Sequence, residues 1–168
     1  MKQQADWAVG KPGAEDQMLS LESDTEAWFG RLKNARVLSR QAVESAQRGG
    51  EKEPAALWQV NAAVREALLG NTDAARQNAA AAEALESGSR DAKAQAAFVY
   101  ALAGDAAQAQ SVVDDLAKRF PQDTIVQSFW LPTVRSQIAT SRKNAAQSPS
   151  GRTCALGVSC LDLLEPVS

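Results

Sequence analysis

The chain has 168 residues, 45% hydrophobic and 23% charged, with a formal net charge of -2. That length can bury one domain-sized core, and the charge offers no basic footprint for nucleic acid. There is no histidine, and the only cysteines, Cys154 and Cys160, stand near the C-terminus. Ser–His–Asp and Cys–His catalysis and imidazole metal ligation are thereby excluded, and the cysteine spacing fits neither a CxxC redox pair nor half of a zinc site.

Alanine carries much of the apolar share and aromatics are few, which predicts closely packed helices. Residues 1–13 lack the apolar run of a secretion signal and are expected to be flexible. Helices are predicted near 14–29, 32–48, 54–69, 72–86, 91–103, 106–119 and 122–142, the last broken at Pro132. Apolar residues recur at three-or-four spacing within them: Leu57, Val60, Val64, Ala67 and Leu68 in one, and Ala109, Val112, Val113, Leu116 and Phe120 in another. Pro54 heads one helix and Pro121 follows another, both places where proline is tolerated. Thr72 and Asp91 are the expected N-caps. No stretch approaches the roughly 20 apolar residues of a membrane span, so a soluble chain is expected, cytoplasmic unless it is the repeat region of a membrane-spanning kinase parent that lies elsewhere.

Three segments share one register: Gly30, Ala35, Ala42; Gly70, Ala75, Ala82; and Gly104, Ala109, Leu116. Each glycine is expected to end a helix in the left-handed conformation, where a Cβ is costly. The residues five and twelve places later then lie on one face of the next helix, where small side chains permit a close crossing. Gly70 and Gly104 lie one 34-residue tetratricopeptide period apart. Between Gly30 and Gly70 six further residues must be accommodated, most naturally around Gly49-Gly50-Glu51-Lys52.

With Tyr100 four residues before Gly104, Ala109 five after it and Pro121 closing the unit, the third segment resembles the tetratricopeptide repeat. The first two depart from that pattern: Glu26 and Glu66 stand in the aromatic position, and Gln47 and Ser87 replace the closing proline. The resemblance implies an all-α, right-handed solenoid of helical hairpins, with units at 14–48, 54–87, 91–121 and a partial one at 122–147. The runs Asp24-Thr25-Glu26-Ala27-Trp28-Phe29-Gly30-Arg31-Leu32, Ala56-Leu57-Trp58-Gln59-Val60-Asn61-Ala62-Ala63 and Lys118-Arg119-Phe120-Pro121-Gln122-Asp123-Thr124 are more particular. They resemble the C-terminal repeat region of bacterial serine/threonine protein kinases of the acidobacterial sort. That likeness implies a regulatory region whose kinase parts are absent from this chain, since there is no glycine-rich phosphate loop, no HRD-type loop and no DFG.

After residue 147 the composition changes in mid-repeat, and residues 148–168 are expected to be irregular. Trp7, Trp28, Trp58 and Trp130 are read as fillers of gaps in an alanine-rich interior rather than as a ligand groove. Asp114-Asp115 is read as a solvated face, because adjacent helical side chains diverge by about 100°. Neither a catalytic group, a metal nor a cofactor is expected. The expected function is a protein-interaction scaffold that takes a peptide or partner protein, with Trp58, Asn61, Arg65, Arg31, Phe129 and Trp130 as candidate contacts. Phe129 and Trp130 also mark the end where an uncapped array would self-associate into a homodimer.

Overall fold

Helix-forming, alanine-rich segments punctuated by glycine fold as antiparallel helix pairs. The computed structural model describes residues 2–147; the tail expected to be irregular, with both cysteines, lies outside the described residues. The order is α1 (Lys2–Ala8), α2 (Glu15–Trp28), α3 (Leu32–Arg48), α4 (Lys52–Leu68), α5 (Thr72–Leu85), α6 (Arg90–Leu102), α7 (Ala106–Arg119), a π-helical turn (Val126–Trp130) and α8 (Leu131–Gln147). Among the described residues there is no strand, so the fold is all-α. The pairs α2–α3, α4–α5 and α6–α7 are the tightest, and α4 packs on α6 and α6 on α8.

The three register glycines close the first helix of each pair with φ of 74°, 78° and 77°. Gly30 N–H bonds to Ala27 O and Arg31 N–H to Glu26 O, the two reversed bonds of a Schellman turn. Gly70 and Gly104 repeat that pattern with their neighbours. So does Gly50 at the end of α3, which makes the expected insertion a helix cap as well. The register residues are all wholly buried: Ala35, Ala42, Ala75, Ala82 and Ala109 are small, as close crossing demands, and Leu116 is a large apolar filler.

Four details differ from expectation. The segment 1–13 is not structureless: it contains α1, which packs on α2 and buries Ala8. Turns at Gly10 and Gly13 return the chain, and Gly10 N–H donates to Glu15 Oε1 at 3.1 Å. The cap of α6 is Ser89 rather than Asp91, its Oγ accepting from Ala92 N–H, because Ser89 has the extended backbone of a cap while Asp91 is already in the first turn. Asn71 rather than Thr72 precedes α5, and its side chain caps nothing, being turned instead to Glu66. Finally, the break in the last helix lies ahead of Pro132. Proline has no N–H and crowds the carbonyl four residues back, and the wide π turn before it relieves both.

The main apolar core runs from Val60 to Ile138 and is built of alanine, valine, Tyr100, Leu116 and Leu131. A small satellite of Val43, Ala46 and Ala55, with Trp58 and Leu85 against it, sits between α3, α4 and α5. The buried residues of α2 are of another kind: Asp16, Ser20 and Ser23.

Candidate partner-binding face

Counting back from the closing glycine, the residues two, six, nine and thirteen positions earlier share one narrow face of each first helix. On α2 these are Trp28, Asp24, Leu21 and Gln17; on α4 they are Leu68, Val64, Asn61 and Leu57; on α6 they are Leu102, Phe98, Gln95 and Asp91. All four are exposed on α2. On α4 only Leu68 is exposed and the rest are half-buried, and on α6 all four are half-buried. The face seven positions before the glycine is the opposite case: Ser23, Ala63 and Ala97 are wholly buried against the second helices. Hairpin packing therefore leaves a stripe that is open on α2 and half-covered on α4 and α6, where Val64, Phe98 and Leu102 pack against the main core. Its glycine end is uniformly large and apolar, as Trp28, Leu68 and Leu102, and its far end is polar at Gln17 and Asp91.

Of the candidate contacts, Asn61 lies on this stripe, and its amide bonds to no other described residue. Trp58 and Arg65 come together elsewhere, in the seam between α2 and α4. Trp58 Nε1 donates to Asp16 Oδ2 at 2.7 Å, while Asp16 Oδ1 is buried without a partner among the described residues. Arg65 Nη1 donates to Ser23 Oγ at 2.9 Å and Ser39 Oγ at 3.0 Å, and Nη2 donates to Asp24 Oδ1 at 2.7 Å. Ser23 gives its one hydroxyl proton to Ala35 O, so the proton in the 2.7 Å contact between Ser23 and Ser39 comes from Ser39.

Arg31 stands at the first turn, pairs with Glu26 at 2.6 Å and lies 4.8 Å above the Phe29 ring. Phe129 and Trp130 meet edge to face at 5.1 Å in the π turn, Trp130 against the main core and Phe129 exposed. The end of the array beside them is not the bare apolar surface expected. α8 buries Leu131, Val134 and Ile138 and turns Arg135, Ser136, Ala139, Thr140 and Arg142 outward, as a capping helix does. The tryptophans divide as well. Trp58 and Trp130 are half-buried fillers, whereas Trp28 and Trp7 are exposed, so the core reading fails for those two.

The glutamates in the aromatic position have a role that sequence inspection did not reveal. Glu66 accepts from Arg36 Nε and Nη2 at 2.6 and 2.8 Å, and from Asn71 Nδ2 at 2.7 Å. Arg36 holds its carboxyl below the usual carboxylate range, against the opposing effect of burial. Glu26 accepts from Arg31 and Asn34 and is lowered to about 2 by those hydrogen bonds. In the third unit Tyr100 fills the same position and donates its hydroxyl to Glu83 Oε2 at 2.8 Å. Arg76, placed after Gly70 as Arg36 is after Gly30, donates to Ala103 O at 2.6 Å. Each arginine thus braces one unit to the next. The common signal was available in the sequence, an arginine six residues after the glycine in both units.

Two open grooves flank these features. One, about 520 Å³, lies outside the first hairpin and is lined by Glu22, Thr25, Glu26, Asn34, Val37 and Leu38. The other, about 460 Å³, is lined by carboxylates of Glu53, Glu86, Asp91 and Asp123 with Ser89, Arg90 and Phe120. Arg90 bridges Asp91 and Asp123, and Ser89 Oγ bonds Glu53 while capping α6, so these groups are spent on one another. Among the described residues no three of His, Cys, Asp and Glu gather to hold a metal ion, and no helix is long and apolar enough to cross a membrane. No protein-family model matches the chain, and no curated protein or solved structure matches it.

Proposed function

We propose that the chain is a non-catalytic, tetratricopeptide-like interaction module whose open stripe binds a segment of a partner protein. The observation that carries this reading is the recurrence of the stripe in one register on α2, α4 and α6, with Trp28 and Leu68 exposed at its apolar end and Leu102 half-covered beyond them. α4 packs directly on α6, and α2 meets α4 through the side chains of Trp58 and Arg65, so the stripe offers an elongated ligand apolar anchors at its glycine end. In this reading the hairpins stack as a right-handed solenoid, and Asn61, central and unengaged, orients the ligand backbone.

The test is a photoreactive residue placed at Asn61 or Val64, compared with one at Ala80 on the outward face of α5. Cross-linking to one partner polypeptide from the stripe but not from Ala80 supports the proposal. Equal labelling from both faces, or none from either, defeats it.

The runs at 24–32, 56–63 and 118–124 favour a bacterial signalling role beside this one, as the regulatory region of a serine/threonine kinase. Under that reading the same stripe receives a segment of the kinase or its substrate. A kinase domain encoded in the same reading frame decides for it, and a frame without one decides against it.

A further inference from the structure

The glycine-turn edge of the first two units carries more apolar surface than a stripe of first helices requires. Trp28 and Phe29, before Gly30, are 88% and 62% exposed; Leu68 and Leu69, before Gly70, are 63% and 49% exposed. At the third turn the patch stops, because Leu102 is half-buried and Ala103 buried. The segment after the first turn is tied to the second turn through side chains. Arg36 at the start of α3 grips Glu66 at the end of α4, and Asn71 of the second turn bonds that same carboxylate.

The two turns also differ in charge. Arg31 and the exposed Lys33 follow the first. Asp73 follows the second, and its side chain is 90% exposed with Arg76 only loosely engaged at 3.4 Å.

We infer that this edge is the contact between two copies of the chain. A two-fold axis between the turns sets Trp28 and Phe29 of one copy on Leu68 and Leu69 of the other, with Lys33 facing Asp73 twice. Two features select a second copy over other occupants. An isologous interface needs a patch whose halves complement each other, and here an aromatic turn followed by Lys33 is tied to an aliphatic turn followed by Asp73, the Arg31 charge being taken up by Glu26. The four side chains leave on the order of 500 Å² open per copy, so a facing pair covers about 1,000 Å², where specific association begins. A lipid surface, by contrast, selects for a uniformly basic edge, and Asp73 interrupts this one.

The inference does not depend on the partner-binding proposal. Trp28 and Leu68 belong to both surfaces, so a photoadduct at Asn61 is assigned by its mass: a second copy supports this inference and counts against the partner-binding proposal, and another polypeptide does the reverse.

Sedimentation equilibrium of the full chain is the test. A monomer–dimer equilibrium in the micromolar range is expected, weakened at least about tenfold by Trp28→Lys. Lys33→Glu and Asp73→Lys each weaken self-association at low salt. Mixing those two variants restores it, because the mixed dimer holds one reversed pair and one native pair, both attractive. Lys33 is exposed, and circular dichroism verifies that every variant folds. A chain that stays monomeric throughout, a dimer indifferent to Trp28→Lys, or a mixture that fails to recover each overturns the inference.

Discussion

In the first hairpin α2 buries Asp16, Ser20 and Ser23, whereas in the third α6 buries five alanines together with Val99 and Tyr100. The turns that close α2 and α6 are nonetheless the same, down to the pair of reversed hydrogen bonds. Turn chemistry and interior chemistry are thus set independently. A glycine at the right place closes a hairpin whatever lies inside it. The interior then decides how strongly that hairpin is held: through area removed from water in the third unit, and through directed hydrogen bonds to Arg65 and Trp58 in the first.

The largest expected effect falls on the apolar side of this contrast. Leu116→Ala empties a wholly buried site in α7 and is expected to cost about 3 kcal/mol in urea unfolding. Next comes the polar seam. Arg65→Ala leaves Ser39 and Asp24 without their shared donor and is expected to cost about 2 kcal/mol. Hydrogen exchange should show that loss in α2 and α3 and leave α6 and α7 protected; uniform loss across all hairpins would contradict the division.

Smaller still, Gly30→Ala and Gly104→Ala should each cost about 1 kcal/mol. The space where a Cβ would stand is open at both, so only backbone strain is at issue. Equal losses sharpen the contrast by placing it wholly in the interiors, and clearly unequal ones break it.

The smallest effect is a pH dependence. The folded pKa of Glu26 lies below its unfolded value, so its contribution is present above about 4.5 and is lost as pH falls towards about 2. The thermal midpoints of the wild type and Glu26→Gln should therefore differ near neutrality and converge in acid.

What could be read from the sequence follows the same division. The glycines, the small residues five and twelve places on and the helix spans rest on local rules of backbone and periodicity, and the structure has helices where those rules put them. The seam could not be read that way. Asp16, Ser20 and Ser23 fall at helical spacing, but polar residues in such a pattern look like a solvated face, and only Arg65 and Trp58, more than forty positions away in sequence, make them interior. Trp28 misled for the complementary reason. A large aromatic reads as core, yet its position two before the glycine points it out of the packing. The glutamates at 26 and 66 looked like defects of a repeat and are instead the acceptors on which the turns and one brace are anchored.

Those braces have a mechanical consequence. Arg36 and Arg76 each reach from the second helix of one unit to the first helix of the next, and in the third unit Gln110 stands at that place and reaches only Asp114 on its own helix. Tension applied between the ends of the array therefore loads these bonds in series, with the helix pairs as stiff links between them. Such a chain of links yields at its joints rather than within them. It should lengthen in discrete steps, as those joints give way one after another.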